Sequence, residues 1–277
     1  MILTQPKTTN GNGHFPAKQT IPIGQGIAVG GPAVLIMAGP CAVETYEQTY
    51  TIAQAVYQAG GRVLRGGAYK PRTSPYSFQG LGQEGLEILR AVADEFGLLV
   101  ISEALGVEQL PLVAQYADII QIGSRNMQHY PLLWAVGEID KPVLLKRGFM
   151  STFKEWLLAA EHIVSRGNEQ IILCERGIRT FETATRNTLD TNAIALAKLE
   201  APFPVIADPS HATGRSDLVI AAGRAAIAAG ADGLLVELHP NPQKALSDGE
   251  QSLPLELLPH LWAESGRVAA AVGRDLV

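Results

Sequence analysis

Six basic residues, Arg65, Lys70, Arg72, Arg125, Lys146 and Arg176, each fall at or just past the end of a short apolar run. Arg clamps two oxygens at once and Lys acts as a point charge, so together they suit a ligand bearing both carboxylate and phosphate. The bland account of any one of them is an ion pair on a solvated face. Six at equivalent positions favour a shared positive mouth. A second set, Cys41, His211, Glu237 and Asp248, offers sulfur, nitrogen and oxygen donors. Such a mixture suits a borderline divalent ion such as Mn, Fe, Co, Zn or Cu and does not choose among them. No C-x-x-C or H-E-x-x-H spacing gathers the four. By residue type alone, Cys41 reads as a buried small hydrophobe and His211 as a core histidine.

Other candidates carry less. Lys146 has the placement of a Schiff-base lysine, but its neighbour Arg147 and the surplus of cations favour phosphate binding. His14 lies in a polar N-terminal stretch, and His129, His162 and His260 fall on expected helices as surface or packing residues. His239 precedes Pro240 and reads as a loop-shaping residue. Cys174 directly precedes Glu175, and a Cys41–Cys174 disulfide is conceivable only in an oxidised, metal-free form.

These residues need a scaffold that brings distant segments to one place. The chain has 277 residues, 22 basic against 27 acidic, a net charge of −5, and 47% hydrophobic residues of which few are aromatic. An acidic balance excludes nucleic acid as a partner, since phosphate backbones require a basic face. No apolar run is long enough to span a membrane, and the first twenty residues contain no signal-peptide stretch, so the reading is a cytosolic protein. Residues 1–20 read as a flexible arm and 21–277 as one domain. Ile27–Val29 and Val34–Met37 flank Gly30-Gly31-Pro32, which reads as a hairpin or a strand leading into the core.

From there eight short strands are expected: Val34–Met37, Arg62–Leu64, Leu98–Ile101, Ile119–Ile122, Val143–Leu145, Ile171–Leu173, Val205–Ile206 and Leu234–Val236. Helices alternate with them. Thr45-Tyr-Glu-Gln48 and Thr152-Phe-Lys-Glu155 are capping boxes, and Gly60, Gly97, Gly167 and Gly230 stand where helices stop. Eight β/α units in this length predict a single (β/α)8 TIM barrel with an N-terminal arm and hairpin. An open doubly wound sheet would carry a G-x-G-x-x-G turn after its first strand, and none occurs. In a barrel the C-terminal strand ends converge, and the first, seventh and eighth strands are adjacent, so the loops of Cys41, His211 and Glu237 meet.

The strand-end motifs are Ala38-Gly-Pro-Cys41, Arg65-Gly-Gly-Ala-Tyr-Lys-Pro-Arg-Thr-Ser74, Gln121-Ile-Gly-Ser-Arg125, Leu144-Leu-Lys-Arg-Gly148, Cys174-Glu-Arg-Gly177, Asp208-Pro-Ser-His211, Val236-Glu-Leu-His239 and Ala245-Leu-Ser-Asp248. In this order they resemble the 3-deoxy-D-arabino-heptulosonate 7-phosphate (DAHP) synthase family, type I beta branch. The resemblance runs from about Ile21 to the C-terminus. It implies a metal-dependent barrel that condenses phosphoenolpyruvate with erythrose 4-phosphate, in a homo-oligomer of two or four chains. It assigns Cys41, His211, Glu237 and Asp248 to one divalent ion, Mn2+ first with Fe2+, Co2+, Zn2+ and Cu2+ as alternatives, which reverses the reading of Cys41 by type.

By the same resemblance Arg65 and Lys70 hold the carboxylate end of phosphoenolpyruvate, and Arg125, Lys146 and Arg176 surround its phosphate. Pro71, Arg72, Thr73 and Ser74 match the erythrose 4-phosphate segment, and Ser124 and Asp208 complete the substrate-binding set. Lys70, Glu175 and His211 are the candidate catalytic residues. Crowding by Arg65 and Arg72 predicts a lowered Lys70 pKa suited to shuttling protons, with metal-bound water or Glu175 as alternatives.

The sister enzyme that makes 3-deoxy-D-manno-octulosonate 8-phosphate from arabinose 5-phosphate carries a Lys-Ala-Asn-Arg-Ser-Ser type segment where this chain reads Lys-Pro-Arg-Thr-Ser. That enzyme and a non-catalytic phosphoenolpyruvate sensor are the alternative readings. The branch without a regulatory domain is the one expected, with weak or absent feedback inhibition.

Overall fold

The computed structural model describes residues 18–71 and 74–277. Arg72, Thr73 and most of the expected arm, with His14, lie outside them. Residues 18–20, assigned above to the arm, are tied down: Lys18 Nζ donates to the carbonyls of Ala197 and Ala201, and Gln19 N donates to Pro202 O.

β1 (Ile21–Gly24) and β2 (Ile27–Val29) form an antiparallel hairpin. Its turn residues, Gln25 and Gly26, both have positive φ, 51° and 74°. A two-residue turn of that hand matches the twist of the flanking strands. The hairpin therefore precedes Gly30-Gly31-Pro32, which only links β2 to the barrel. The reason lies in the next strand, which pairs on both sides within the barrel and leaves no edge for β2.

The barrel strands are β3 (Ala33–Gly39), β4 (Val63–Arg65), β5 (Leu99–Ala104), β6 (Ile119–Ile122), β7 (Val143–Lys146), β8 (Ile171–Glu175), β9 (Val205–Ala207) and β10 (Gly233–His239). Each pairs in parallel with the next, and β10 returns to β3 in register from Gly233↔Leu35 to Glu237↔Gly39, closing the barrel. Two short strands extend it: β11 (Leu253–Pro254) beside β10 and β12 (Asp275–Leu276) beside β3. Around it lie α1 (Tyr46–Gln58), α2 (Gln83–Phe96), α3 (Leu110–Tyr116), α4 (Tyr130–Val136), α5 (Phe153–Val164), α6 (Thr191–Glu200), α7 (Pro209–Thr213), α8 (Ser216–Ala228) and α9 (Leu258–Ala271). No helix among the described residues is long and apolar enough to cross a membrane.

Thr152 and Glu155 make both bonds of a capping box at α5. At α1 only one forms: Thr45 Oγ1 accepts from Gln48 N, while Gln48 Oε1 accepts from Glu44 N. The four expected helix-stop glycines each follow a helix with positive φ.

Alternation along the strands divides the core in two. Leu35, Met37, Val63, Leu99, Ile101, Ile119, Leu144, Ile172, Cys174, Ile206 and Leu235 fill the barrel interior, and Ile21, Ile23 and Val29 of the hairpin cap it. The opposite parity, for example Ile36, Leu64, Val100, Leu145 and Val236, packs against the helices. A strand residue can therefore be assigned to the barrel axis or to the helical layer by counting in twos.

Asp232, fully buried just before β10, fastens the end of the barrel opposite the strand C-termini. Its carboxylate accepts from Lys198 Nζ at 2.8 and 2.9 Å, Val205 N at 2.9 Å and Arg274 at 3.0 Å. Arg274 also donates to the carbonyls of Gly31, Ala33 and Ala231, binding the C-terminal segment to the start of β3. Asp232→Ala would leave two cations facing a buried gap, so unfolding in urea is expected to weaken by about 3 kcal/mol. A change below about 0.5 kcal/mol, the scatter of ordinary surface substitutions, would refute this role.

Candidate active site

A cavity of about 280 Å³ opens at the C-terminal ends of the barrel strands. Lys70, Pro71 and Ser74 line it from the loop after β4, and Ser124 and Arg125 from the turn after β6. Lys146 enters from β7, Arg176 from the loop after β8, His211 from α7, and Asp248 from the loop before β11. Parity explains the inward set: continuing the interior positions by twos from Val63, Leu144, Cys174, Ile206 and Leu235 reaches Arg65, Lys146, Arg176, Asp208 and Glu237.

Beneath the cavity lies a buried layer of paired charges. Arg65 donates to Pro40 O at 2.7 Å and to Glu237 Oε1 at 3.1 Å, while its Nε is buried without a partner among the described residues. Lys70 Nζ donates to Cys41 O at 3.1 Å and meets Cys41 Sγ at 3.0 Å. Its side chain passes over Gly67, where an added Cβ would lie 2.7 Å from Cys41 O and 3.0 Å from Lys70 Cδ, so only glycine fits. Glu237 Oε2 accepts from Gln251 Nε2 at 2.6 Å, and Gln251 Oε1 in turn accepts from Arg186 at 2.7 Å.

Asp208 organises the other side. It forms a buried ion pair with Lys146, and it bonds both the backbone N–H of His211 (2.9 Å) and its Nδ1 (2.7 Å). Burial works to raise the Asp208 carboxyl, but His211 and Lys146 outweigh it and hold it well below the ordinary carboxylate range. Burial lowers His211 against the pull of Asp208 and Glu237; its Nδ1 faces Asp208 and its Nε2 lies 3.5 Å from Glu237 Oε1. A carboxylate behind a histidine in this way is how ligating rings are oriented.

The four candidate metal donors meet as two pairs. Cys41 Sγ lies 3.3 Å from Asp248 Oδ2, and His211 faces Glu237. Among the described residues no three His, Cys, Asp or Glu side chains close on one point. Burial, with Glu237 nearby, pushes the Cys41 thiol up to about 12. Cys174 is a free thiol inside the barrel wall, in surroundings different from those of Cys41.

Three expected residues sit in surroundings other than those foreseen. Glu175 has helix-layer parity: its carboxylate is fully buried, bonded to Arg147 at 2.9 Å and to Gly177 N at 2.6 Å, and it does not line the cavity. Asp208 is fully buried against Lys146 and His211 and is not among the residues that line the cavity. The Lys70 pKa is raised, because burial, which pulls it down, is outweighed by Cys41 and Glu237, whose closeness to Lys70 was not visible in the sequence.

Four further cavity side chains had no role assigned from the sequence: Glu103 and Arg186, which it placed at strand ends, and Ser77 and Phe149. Glu103, bonded by Gln121 at 2.8 Å, was signalled by its inward parity on β5. Arg186 and Phe149 lie in loops, where no periodicity points to an axis.

A closed parallel barrel whose strand ends present converging cations above buried carboxylate, thiol and imidazole groups is a (β/α)8 enzyme built for small anionic substrates. The sequence profile of the DAHP synthetase I family matches residues 14–269, and the chain belongs to that family. It is 56% identical over 258 residues to the phospho-2-dehydro-3-deoxyheptonate aldolase of Thermotoga maritima, covering 93% of this chain and 76% of the relative. A crystal structure of the DAHP synthase from that organism superposes with a TM-score of 0.91 at 54% identity, over 95% of this chain and 76% of that one. A truncated form of the Thermotoga maritima synthase gives 0.88 at 51% identity, over 95% and 96%. The 2-dehydro-3-deoxyphosphooctonate aldolase of Geobacter sulfurreducens is 35% identical over 268 residues, 89% of this chain and 96% of the relative.

Proposed function

We infer that the protein is a DAHP synthase, condensing phosphoenolpyruvate with D-erythrose 4-phosphate and water to give DAHP and phosphate, the first step of the shikimate pathway to aromatic amino acids. The observation that carries this reading is the cavity whose lining unites Lys70, Arg125, Lys146 and Arg176 with His211 and Asp248, in a chain 56% identical to a named heptonate aldolase.

Arg65, whose buried Nε has no partner among the described residues, and Lys70 would receive the carboxylate of phosphoenolpyruvate. Arg125, Lys146 and Arg176 suit its phosphate, Ser124 lies beside them, and Pro71 and Ser74 border the erythrose 4-phosphate side. Carbon 3 of phosphoenolpyruvate attacks the aldehyde carbon, water adds at carbon 2, and phosphate leaves with the electrons of the carbon 2–oxygen bond. Lys70 Nζ, kept protonated in this pocket, supplies a proton to the former aldehyde oxygen. Cys41, His211, Glu237 and Asp248 would hold one divalent ion, Mn2+ first, and their mixed donors with the Asp208-oriented ring fit that group. When bound it contributes Lewis-acid polarisation. We place the enzyme in the cytosol as a homo-oligomer of two or four chains, a number that light scattering reads directly.

The test is an assay of the purified protein with phosphoenolpyruvate and each aldose phosphate. Erythrose 4-phosphate is expected to be preferred over arabinose 5-phosphate by about a hundredfold or more. EDTA is expected to abolish turnover and Mn2+ to restore it. Preference for arabinose 5-phosphate would make the protein an octulosonate 8-phosphate synthase. Binding of phosphoenolpyruvate without turnover of either sugar would make it a sensor.

A further inference from the structure

Phe149, in the loop between β7 and α5, gathers three guanidinium groups on one ring. Arg176 lies 4.7 Å from its centroid, Arg179 5.2 Å and Arg125 5.5 Å. The three come from two other strand-end loops, so nothing local in the chain holds them together. Like charges this close repel, and the negative face of an aromatic ring is a neutral group that offsets the repulsion without neutralising the cations. A carboxylate in the same place would compete with an incoming anion.

Arg176 shows how little else holds it. It is 2% exposed and donates at 3.2 Å to two carbonyls, Gly177 O and His211 O. Burial lowers its pKa to about 10, with Arg186 adding to the effect and the Asp208 and Glu175 carboxylates opposing it. The main chain of Phe149 is fixed as well, since its carbonyl accepts from Arg179 N at 2.8 Å. Phe149, Arg125 and Arg176 share one wall of the main cavity, while Phe149, Arg125 and Arg179 line a shallower depression beyond it. Phe149 and Arg125 thus border both spaces, while Arg176 borders only the first.

We propose that Phe149 is a positioning residue whose ring holds Arg125 and Arg176 convergent on the phosphoryl group of phosphoenolpyruvate. This rests on the functional reading above. Phe149→Leu keeps the apolar volume and removes the ring face; Phe149→Tyr keeps both. For wild type and both variants, calorimetry would give the dissociation constants of phosphoenolpyruvate and of inorganic phosphate, and steady-state kinetics kcat and both KM values.

In Phe149→Leu the dissociation constant and KM for phosphoenolpyruvate are expected to rise about tenfold. The kcat, the KM for erythrose 4-phosphate and the melting temperature should stay near wild type, and Phe149→Tyr should behave as wild type. Equal phosphoenolpyruvate binding in Phe149→Leu overturns the proposal. So does a loss in kcat that tracks a fall in melting temperature, or a Phe149→Tyr as impaired as Phe149→Leu. A wild type that binds inorganic phosphate but not phosphoenolpyruvate overturns the functional reading instead, and the phosphate ratio between variants still decides whether the ring orders the arginines.

Discussion

Lys70→Met is expected to lower kcat by about a thousandfold or more, the upper range of what a positioned proton donor contributes, with the fold intact. The substitution keeps the unbranched chain that runs over Gly67 and deletes only the ammonium group. That group is 7% exposed as part of its residue, reaches Cys41 Sγ and Cys41 O, and lines the cavity with His211 and Asp248. It is thus a protonated nitrogen that touches a candidate metal donor and borders the substrate space. The pocket keeps its proton on, since Cys41 and Glu237 outweigh the effect of burial.

Two controls separate chemistry from structure. Mn2+ uptake by equilibrium dialysis should persist, because Cys41, His211, Glu237 and Asp248 are all retained. The melting temperature should move by only a few degrees. A variant that keeps more than about a tenth of wild-type kcat would remove Lys70 from the chemical step, since a lost proton donor costs at least about a hundredfold. Lys70→Arg, which keeps the charge in a planar group unsuited to the narrow path over Gly67, should be nearly as impaired as Lys70→Met.

All eight barrel strands could be read from the sequence because a strand buried on both faces is a continuous β-branched run. Their C-terminal ends could not. β10 continues through Glu237 and His239, and β8 through Cys174 and Glu175, because the strands carry their functional residues as strand residues and the apolar pattern stops before the hydrogen bonding does. The cationic mouth was legible for the same geometric reason, since every barrel converges its strand ends.

Pairing among those residues was not legible. Arg147 looked like a companion of Lys146, yet adjacent strand residues point oppositely, and Arg147 goes outward to Glu175 and Asp190. The same parity, applied to Cys174 and Glu175, would have turned Glu175 away from the cavity. Of the two readings of Ile27–Met37, the lead-in strand is the one that holds; Gly30-Gly31-Pro32 is the stronger turn signal by composition, whereas Gln25-Gly26 makes the hairpin turn. Phe149 gave no signal, since a loop aromatic has no periodicity and its importance comes from three arginines distant in sequence.

Asp208→Asn is expected to have the second large effect, on stability and activity together. Asp208 serves Lys146 and His211 at once, and neither partner has an equivalent substitute. An amide preserves the shape but removes the charge, leaving the Lys146 ammonium, 3% exposed with its residue, without an anion. Breaking a buried pair in this way costs about 3 kcal/mol or more, and the His211 ring loses the acceptor that fixes its proton on Nδ1.

The pH dependence gives this prediction a sign. The folded carboxyl titrates well below the unfolded value of about 3.9. Its contribution is therefore complete above about pH 4 and is lost as the pH falls from there toward the folded value. Urea unfolding should show wild type and Asp208→Asn far apart at pH 7, still far apart at pH 5, and converging below about pH 4. A gap that stays constant or widens on acidification would mean that the carboxylate charge is not what stabilises this layer.

Adding Lys146→Met to Asp208→Asn removes the orphaned charge, so the double variant should recover much of the lost stability, as expected of residues in direct contact. It should not recover turnover, because the cation proposed for the phosphate side and the His211 acceptor are then both gone. Stability returning without activity would separate the two tasks of Asp208, holding the barrel end together and aiming the groups that face the substrate.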